Sequence, residues 1–300
     1  MRFLAHYTII TLLVLLFISC SEDTVKLYHD RENVEHYWLL EKVQYSNTEY
    51  GLNKAFSYTN DDVKRIIDIK NSDLITIDYL EGNVISYSKI RNLGSINIYD
   101  SLLVKINGDN RAAFAYHVTY NENIANEVKA QTQKDSTAFT YNSAGYLVQL
   151  DRYNNTDPSS DPTYWEKYTI ENNNLTLIET SSNYIFNYSY DNQPYNNITA
   201  FCYEMPFNTK SLSQGGCWLL TNLSFLSEYL GKKSNNNIES IIVTQHSAAG
   251  GNNQITNISY NYTFDENRNL IGATMSGTIN TEQIPENSVI SFSYLEKEKK

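Results

Sequence analysis

The sequence predicts a mostly β protein: a curved antiparallel meander or barrel-like shell carrying one short helix. Three observations lead there. Apolar side chains alternate at Ile258, Tyr260, Tyr262 and Phe264, which puts them on one face of a strand. A polar turn, Asp265-Glu266-Asn267-Arg268-Asn269, then joins that strand to a second run from Leu270 to Ile279. Asp and Asn accept left-handed backbone and bond to nearby main chain, so the unit reads as a β-hairpin. Tyrosine is also abundant, 25 of 300 residues, and Tyr and Thr favour strands while Asn favours turns.

The hairpin pattern recurs along the chain. It appears at Tyr141-Asn142-Ser143-Ala144-Gly145-Tyr146-Leu147 and at Tyr190-Asp191-Asn192-Gln193-Pro194-Tyr195. Shorter versions are Ile170-Glu171-Asn172-Asn173-Asn174-Leu175 and Tyr120-Asn121-Glu122-Asn123. The preceding runs alternate too: Phe114, Tyr116, Val118, Tyr120, and Tyr184, Phe186, Tyr188, Tyr190. Such strands are expected to give a sheet with one aromatic face and one wet face, with His117 on the wet side.

From the amino terminus, residues 1–20 have the layout of a signal peptide, with Arg2, an apolar run from Thr8 to Ile18, and then Ser19-Cys20. The run is short for a bilayer span. Residues 21–30 read as a tether, and residues 31–296 as a single antiparallel β domain. Strands are expected over His36–Ser46, Val63–Ile69, Leu74–Tyr79, Val84–Ile90 and Ser95–Ile106. Turns are expected at Glu81-Gly82-Asn83 and at Asn107-Gly108-Asp109-Asn110. Asn154 to Pro162 is the most loop-like stretch.

The helix is expected over Cys217–Leu230. Leu219, Leu223, Leu226 and Leu230 have helical spacing, and Gly231 stands where a helix ends. Trp218, Phe225 and Tyr229 form a second apolar stripe, so this helix either closes the core or borders a pocket for an apolar ligand. Cys202 and Cys217 are the cysteines that remain after Cys20. In an oxidising compartment they are expected as a disulfide, with two free thiols as the alternative.

Composition and motif content narrow the function classes. Arg2 is the sole Lys, Arg, Asp or Glu among the first twenty residues, so residues 21–300 carry 22 cationic against 34 acidic side chains, a formal net charge of −12. That acidity argues against nucleic acid or anionic lipid as a partner. No His-Glu-x-x-His, Gly-x-Ser-x-Gly or phosphate-cradling glycine loop is present, and no cofactor or metal is expected. Asp265, Asn267 and Asn269 mimic the start of a calcium loop, but Leu270 occupies the place of its glycine and no acidic residue closes it, so a turn is the better reading. Tyr164-Trp165, after the proline-rich loop, pairs two rings beside polar groups. Such a pair stacks on sugar rings or anchors the loop to the sheet.

Two resemblances add to this. Phe17-Ile18-Ser19-Cys20 resembles the lipobox of bacterial lipoproteins, whose cysteine is acylated, and Ser21-Glu22-Asp23 resembles the export signal that sends Bacteroidota lipoproteins to the cell surface. The Tyr-Asp units look like YD-repeat hairpins. With the lipobox they resemble Bacteroidota lipoproteins of unknown function with a porin-like domain, over roughly residues 110–296. The local match is Tyr188-Ser189-Tyr190-Asp191-Asn192-Gln193-Pro194-Tyr195-Asn196-Asn197-Ile198, then Ser234-Asn235-Asn236-Asn237-Ile238. The resemblance implies an outer-membrane lipoprotein anchored through Cys20, with a curved or barrel-like sheet and no known active site.

The expected function is therefore a non-enzymatic, surface-anchored binding or accessory protein for glycan or another envelope component, with Tyr164, Trp165 and Trp218 as ligand-contact candidates. The alternatives are a carrier of a lipid or other apolar ligand, and a hydrolase built from scattered acidic residues.

Overall fold

The computed structural model describes residues 36–46, 54–59, 62–68, 74–154, 161–194, 229–246, 252–279 and 282–298. Cys20, Cys202, Cys217, Trp218 and the expected helix as far as residue 228 lie outside them. The strands are β1 (His36–Tyr45), β2 (Lys54–Thr59), β3 (Asp62–Asp68), β4 (Leu74–Leu80), β5 (Val84–Asn92), β6 (Ile96–Ile106), β7 (Ala112–Asn123), β8 (Val128–Tyr141) and β9 (Leu147–Asn154). They continue with β10 (Tyr164–Glu171), β11 (Asn174–Thr180), β12 (Tyr184–Pro194), β13 (Asn236–His246), β14 (Asn252–Phe264), β15 (Leu270–Ile279), β16 (Glu282–Gln283) and β17 (Ser288–Glu298).

Each strand from β1 to β14 pairs antiparallel with its successor, as the meander reading requires. The two-residue β16 extends the end of β15. β17 pairs with β15 on one side and β1 on the other, the latter from His36↔Glu298 to Tyr45↔Ile290. The ladder thus returns on itself as a barrel, and β1 and β17 satisfy each other's otherwise open edges.

One face of this ladder carries the apolar core. Phe186, Tyr188, Ile241, Val243, Ile258, Tyr260, Met275, Ile290 and Phe292 are buried there. Their alternates on the opposite face are mostly polar, as at Asn187, Ser189, Asn257, Ser259, Asn261, Thr274, Ser276 and Ser291, with Ile185, Ile242 and Val289 as apolar exceptions. On β12–β15 and β17 the inner face is therefore mainly apolar and the outer face mainly hydrophilic. A lipid-spanning barrel has the reverse distribution. No helix among the described residues is long and apolar enough to cross a membrane.

The turns repeat one geometry at three places. Asn107, Asn142 and Asp265 each accept the backbone N–H of the residue four positions on, at 3.0, 3.0 and 2.7 Å. The residue three positions on is left-handed each time: Asn110 at φ 58°, Gly145 at 93° and Arg268 at 63°. Asp265 also receives the Asn269 side-chain amide on its second oxygen, at 2.9 Å, which commits both oxygens to the turn. Asn172 and Asn173, at φ 50° and 62°, form a two-residue turn from β10 to β11 within the hairpin expected there.

Tyrosines fasten the inner face to the backbone. The hydroxyls of Tyr58, Tyr141, Tyr190, Tyr262 and Tyr294 donate to the carbonyls of Leu40, Ala112, Leu175, Ile238 and Leu270, at 2.5 to 2.9 Å. In each pair the acceptor lies on a neighbouring strand. Tyrosine fits because its ring fills the core while its hydroxyl satisfies a buried acceptor.

Four local expectations are corrected. Tyr120-Asn121-Glu122-Asn123 is not a turn but the end of β7, paired with β8. Asp191 to Pro194 continues β12 as a bulged strand, because Pro194 pairs with Asn236 of β13. The strand Lys54–Thr59 was not anticipated. Finally, the aromatic side of β7 is the outer one. Tyr116 and Tyr120 are exposed, whereas Ala115 and Thr119 are buried and His117 half-buried on the inside.

Candidate functional site

The orientation of β7 builds the site, because it turns a row of polar side chains inward. Register places Asp100 of β6 beside Thr119, Leu102 beside His117, and Val104 beside Ala115. Leu102 and Val104 belong to the buried core, so their register partners and same-face neighbours point inward with them. Across β8, His117 faces Asp135 and Thr119 faces Gln133. Across β9, Thr137 faces Arg152, and Arg152 in turn faces Tyr164 of β10. A polar belt thus crosses five consecutive strands.

Asp135 is its centre, with 1% of its surface exposed. Its Oδ2 accepts from Arg152 Nη2 at 2.6 Å and Gln133 Nε2 at 2.7 Å, and lies 3.4 Å from His117 Nδ1. The other imidazole nitrogen, Nε2, lies 3.5 Å from Asp100 Oδ1, which also accepts from the Thr119 hydroxyl at 2.7 Å. His117 is therefore held between two carboxylates.

The electrostatics follow from that geometry. Burial pulls the His117 imidazolium down, but hydrogen bonds to Asp100 and Asp135 outweigh it and raise the group to about 9. Burial pushes the Asp135 carboxyl up, but His117 and Arg152 outweigh it and bring it to about 2. Asp100 is lowered as well: burial opposes the shift, and His117, Thr119 and the Lys89 charge prevail. Thr119 Oγ1, His117 Nε2 and Asp135 fall in a line that mimics a hydroxyl–imidazole–carboxylate relay. A general base must be neutral at the working pH. This imidazole is protonated there and engaged by a carboxylate at each nitrogen, so the line serves as an ion-pair network.

Beyond Arg152 the belt reaches Glu166, which is fully buried. Its two oxygens accept from Tyr164, at 2.8 Å, and from Tyr168. This locates Tyr164 on the inner face. Trp165, the next residue along the strand, faces outward, where Lys167 Nζ sits 4.8 Å from its ring centre. Tyr164 and Trp165 therefore share no face, and together they make no single platform.

The outer face of β6–β9 carries the rings instead. Tyr99 faces Tyr120, Leu103 faces Tyr116, and Ser136 lies between Tyr116 and Tyr153. Tyr116 is 45% exposed and Tyr120 37%. Phe114 meets the edge of Tyr116 at 4.6 Å. Tyr99 is fixed by its hydroxyl bond to Glu122, 2.5 Å, and by Lys129 Nζ 4.6 Å over its ring. The alternation of β7 was legible in the sequence. Which of its two faces is wet follows from register with β6, which one strand's pattern does not contain.

No protein-family model matches the chain, and no curated protein matches it. Among solved structures, a porin-like protein from Bacteroides uniformis is similar at 13% identity and a TM-score of 0.45, over 87% of this chain and 90% of that one. A porin-like protein from Bacteroides vulgatus is similar at 14% identity and a TM-score of 0.49, over 85% of this chain and 97% of that one.

Proposed function

We propose that this is a non-enzymatic lipoprotein, anchored through Cys20, whose barrel stands in water and binds neutral glycan on the outer aromatic face of β6–β10. The observation that carries the reading is the outward exposure of Tyr116 and Tyr120, with Tyr99, Tyr153 and Trp165 on the same side of neighbouring strands. Adjacent strands lie about 4.8 Å apart, so rings two strands apart are separated by about 10 Å, the scale of an extended ligand. Sugar rings stack on exposed aromatic faces, and Glu122, Asn97 and Lys129 around Tyr99 supply hydrogen-bonding groups at its edge. The face is shallow, which suits weak, repeated contacts with a polymer.

The interior supports this reading over the carrier. Phe186, Ile178, Leu150, Ile241 and Ile258 have no exposed surface. That is the signature of a packed core, whereas a lumen that admits ligand leaves its lining side chains accessible.

The test is affinity electrophoresis against a panel of soluble neutral polysaccharides. Wild type is expected to be retarded by at least one. Tyr116→Ala/Tyr120→Ala, after confirmation of its β spectrum, is expected to lose most of that retardation, and Trp165→Ala part of it. Full retention by the double variant, or no retardation of wild type by any polysaccharide, overturns the reading.

A further inference from the structure

Five of the eleven large apolar side chains that stand exposed among the described residues gather at one place. They are Ile90 and Leu93 at the end of β5, Ile96 at the start of β6, Ile124 just after β7 and Val128 at the start of β8, each 37 to 58% exposed. The two turns touch. Ile124 N–H donates to Ser95 O at 3.0 Å, and Leu93 N–H to Ile96 O at 2.8 Å. Residues 123–134 are all exposed, so this double tip stands clear of the barrel wall. Turn tips are ordinarily polar, and a contiguous exposed apolar cluster marks a contact surface.

Position, shape and charge select the partner. Strand direction alternates from β1 onward, so the turns after β5 and β7 lie on the rim opposite His36. On the His36 rim the turns Glu81-Gly82-Asn83, Asn107 to Asn110, Asn172-Asn173 and Asp265 to Asn269 are polar. At the tips the apolar groups occupy both faces. Ile96 and Val128 share a cross-strand row with Asn123, on the inner side of β7, whereas Ile90 shares the outer row of Tyr99 and Tyr120. A protein partner covers one face of a flap, while a bilayer surrounds a tip dipped into it. Residues 90–98 and 122–130 hold Arg91 and Lys129 against Glu122 and Glu127, so the tips are neutral in a chain of formal net charge −11. They therefore meet zwitterionic headgroups without the repulsion that the acidic remainder brings. Reach allows it as well. Fifteen residues, 21–35, separate Cys20 from His36 and extend to at most about 50 Å. The twelve residues of β7 cover about 40 Å along the strand, and less along the barrel because strands tilt.

We propose that the paired tips of β5–β6 and β7–β8 dip into the membrane that holds the Cys20 lipid, and so orient the barrel on a zwitterionic bilayer surface. The inference rests on the anchor of the proposed function and adds a second contact to it. Leu93, Ile96, Ile124 and Val128 enter the acyl region, while Arg91 and Lys129, just behind them in the strands, stand level with the headgroups. So few aliphatic side chains hold weakly by themselves, so they orient an anchored protein and do not replace its anchor.

The experiment is tryptophan quenching in the full acylated chain, reconstituted into phosphatidylcholine vesicles whose acyl chains carry bromine. Ile124→Trp places a reporter at the tips and Glu266→Trp one on the opposite rim, each read against wild type. The added fluorescence of Ile124→Trp is expected to fall at least twofold on brominated lipid, and that of Glu266→Trp to stay unchanged. Combining Leu93→Asp/Val128→Asp with Ile124→Trp is expected to cut that quenching at least fivefold, because a carboxylate resists entry into the acyl region, while Tm stays within a few degrees. Leu93→Ser/Val128→Ser carries the comparison if the aspartates prevent folding. A chain that floats with the vesicles while Ile124→Trp is unquenched defeats the tip contact and leaves the anchor standing. Failure to float at all defeats both. Quenching of Glu266→Trp in place of Ile124→Trp puts the other rim on the membrane and overturns the proposal. So does a dimer of the vesicle-free Cys20→Ala chain that Leu93→Asp/Val128→Asp dissolves, since that assigns the tips to a second copy.

Discussion

At the scale of single residues, His117 and Asp135 set the pH dependence of stability. His117 is raised to about 9 from its ordinary 6.5, so its contribution is complete below 6.5 and is lost as pH rises through 9. Asp135 is lowered to about 2 from 3.8, so its contribution is complete above 3.8 and is lost as pH falls through 2. Their joint contribution is therefore greatest between about pH 4 and pH 6.5. Urea denaturation across pH 3–10 should show wild-type stability declining above pH 6.5, and His117→Gln, which has no charge to lose, should decline less over the same range. Parallel curves for the two proteins would contradict the ion-pair network. An imidazole signal that titrates near 6.5 in the folded protein would do so too.

At the scale of elements, a strand residue's significance comes from its register partner. Gly277 of β15 has φ +113°, and a Cβ there would lie 1.9 Å from the carbonyl oxygen of Asn257 on β14. Gly277→Ala must therefore push two paired backbones apart, with an expected loss of several kcal/mol. Gly272, five residues earlier on the same strand, offers the control. A Cβ there would meet its nearest atom, Ile290 O, at an ordinary 3.6 Å. Thermal melts should separate the two: a large fall in Tm for Gly277→Ala, and a shift of a few degrees at most for Gly272→Ala. Equal shifts would place the constraint elsewhere. Gly231 shows the same dependence on context. Its spacing after the leucines suggests a helix end, and in the structure it has φ +86° and bridges to Tyr146, so that a Cβ would strike Gly145 O at 2.5 Å.

At the scale of the whole molecule, the distribution of apolar surface decides how the barrel meets its surroundings. Hydroxyl and amide side chains predominate on the outside of β12–β15, interrupted by Ile185 and Ile242, a face suited to water. Under the proposed reading, membrane attachment then rests on the acyl group at Cys20. Cys20→Ala is expected to move the protein from the detergent phase to the aqueous phase on Triton X-114 partitioning, with an unchanged β spectrum. A variant that stays in the detergent phase would mean that the barrel itself enters the bilayer, and would overturn the water-facing assignment of these strands.

What the sequence determined by itself is local. Period-two alternation identifies β14 and β12 and groups Tyr184, Phe186 and Tyr188 on one buried face, because alternation is a property of a single strand. The turns at Asn107, Asn142 and Asp265 were equally legible, since Asx side chains and left-handed residues act over four positions. Tertiary structure alone decided which side of each strand faces in. β7 has aromatic residues on one side and Ala115, His117 and Thr119 on the other, and taken alone the aromatic side is the natural core. Pairing with β6 reverses that, because the core residues Leu102 and Val104 stand opposite His117 and Ala115. The same reversal moves Tyr116 and Tyr120 to the surface and gathers Asp100, His117, Asp135 and Arg152 inside. The physical reason is that inward and outward are defined by the closed sheet, and closure depends on β1 and β17, which are separated by nearly the whole described chain.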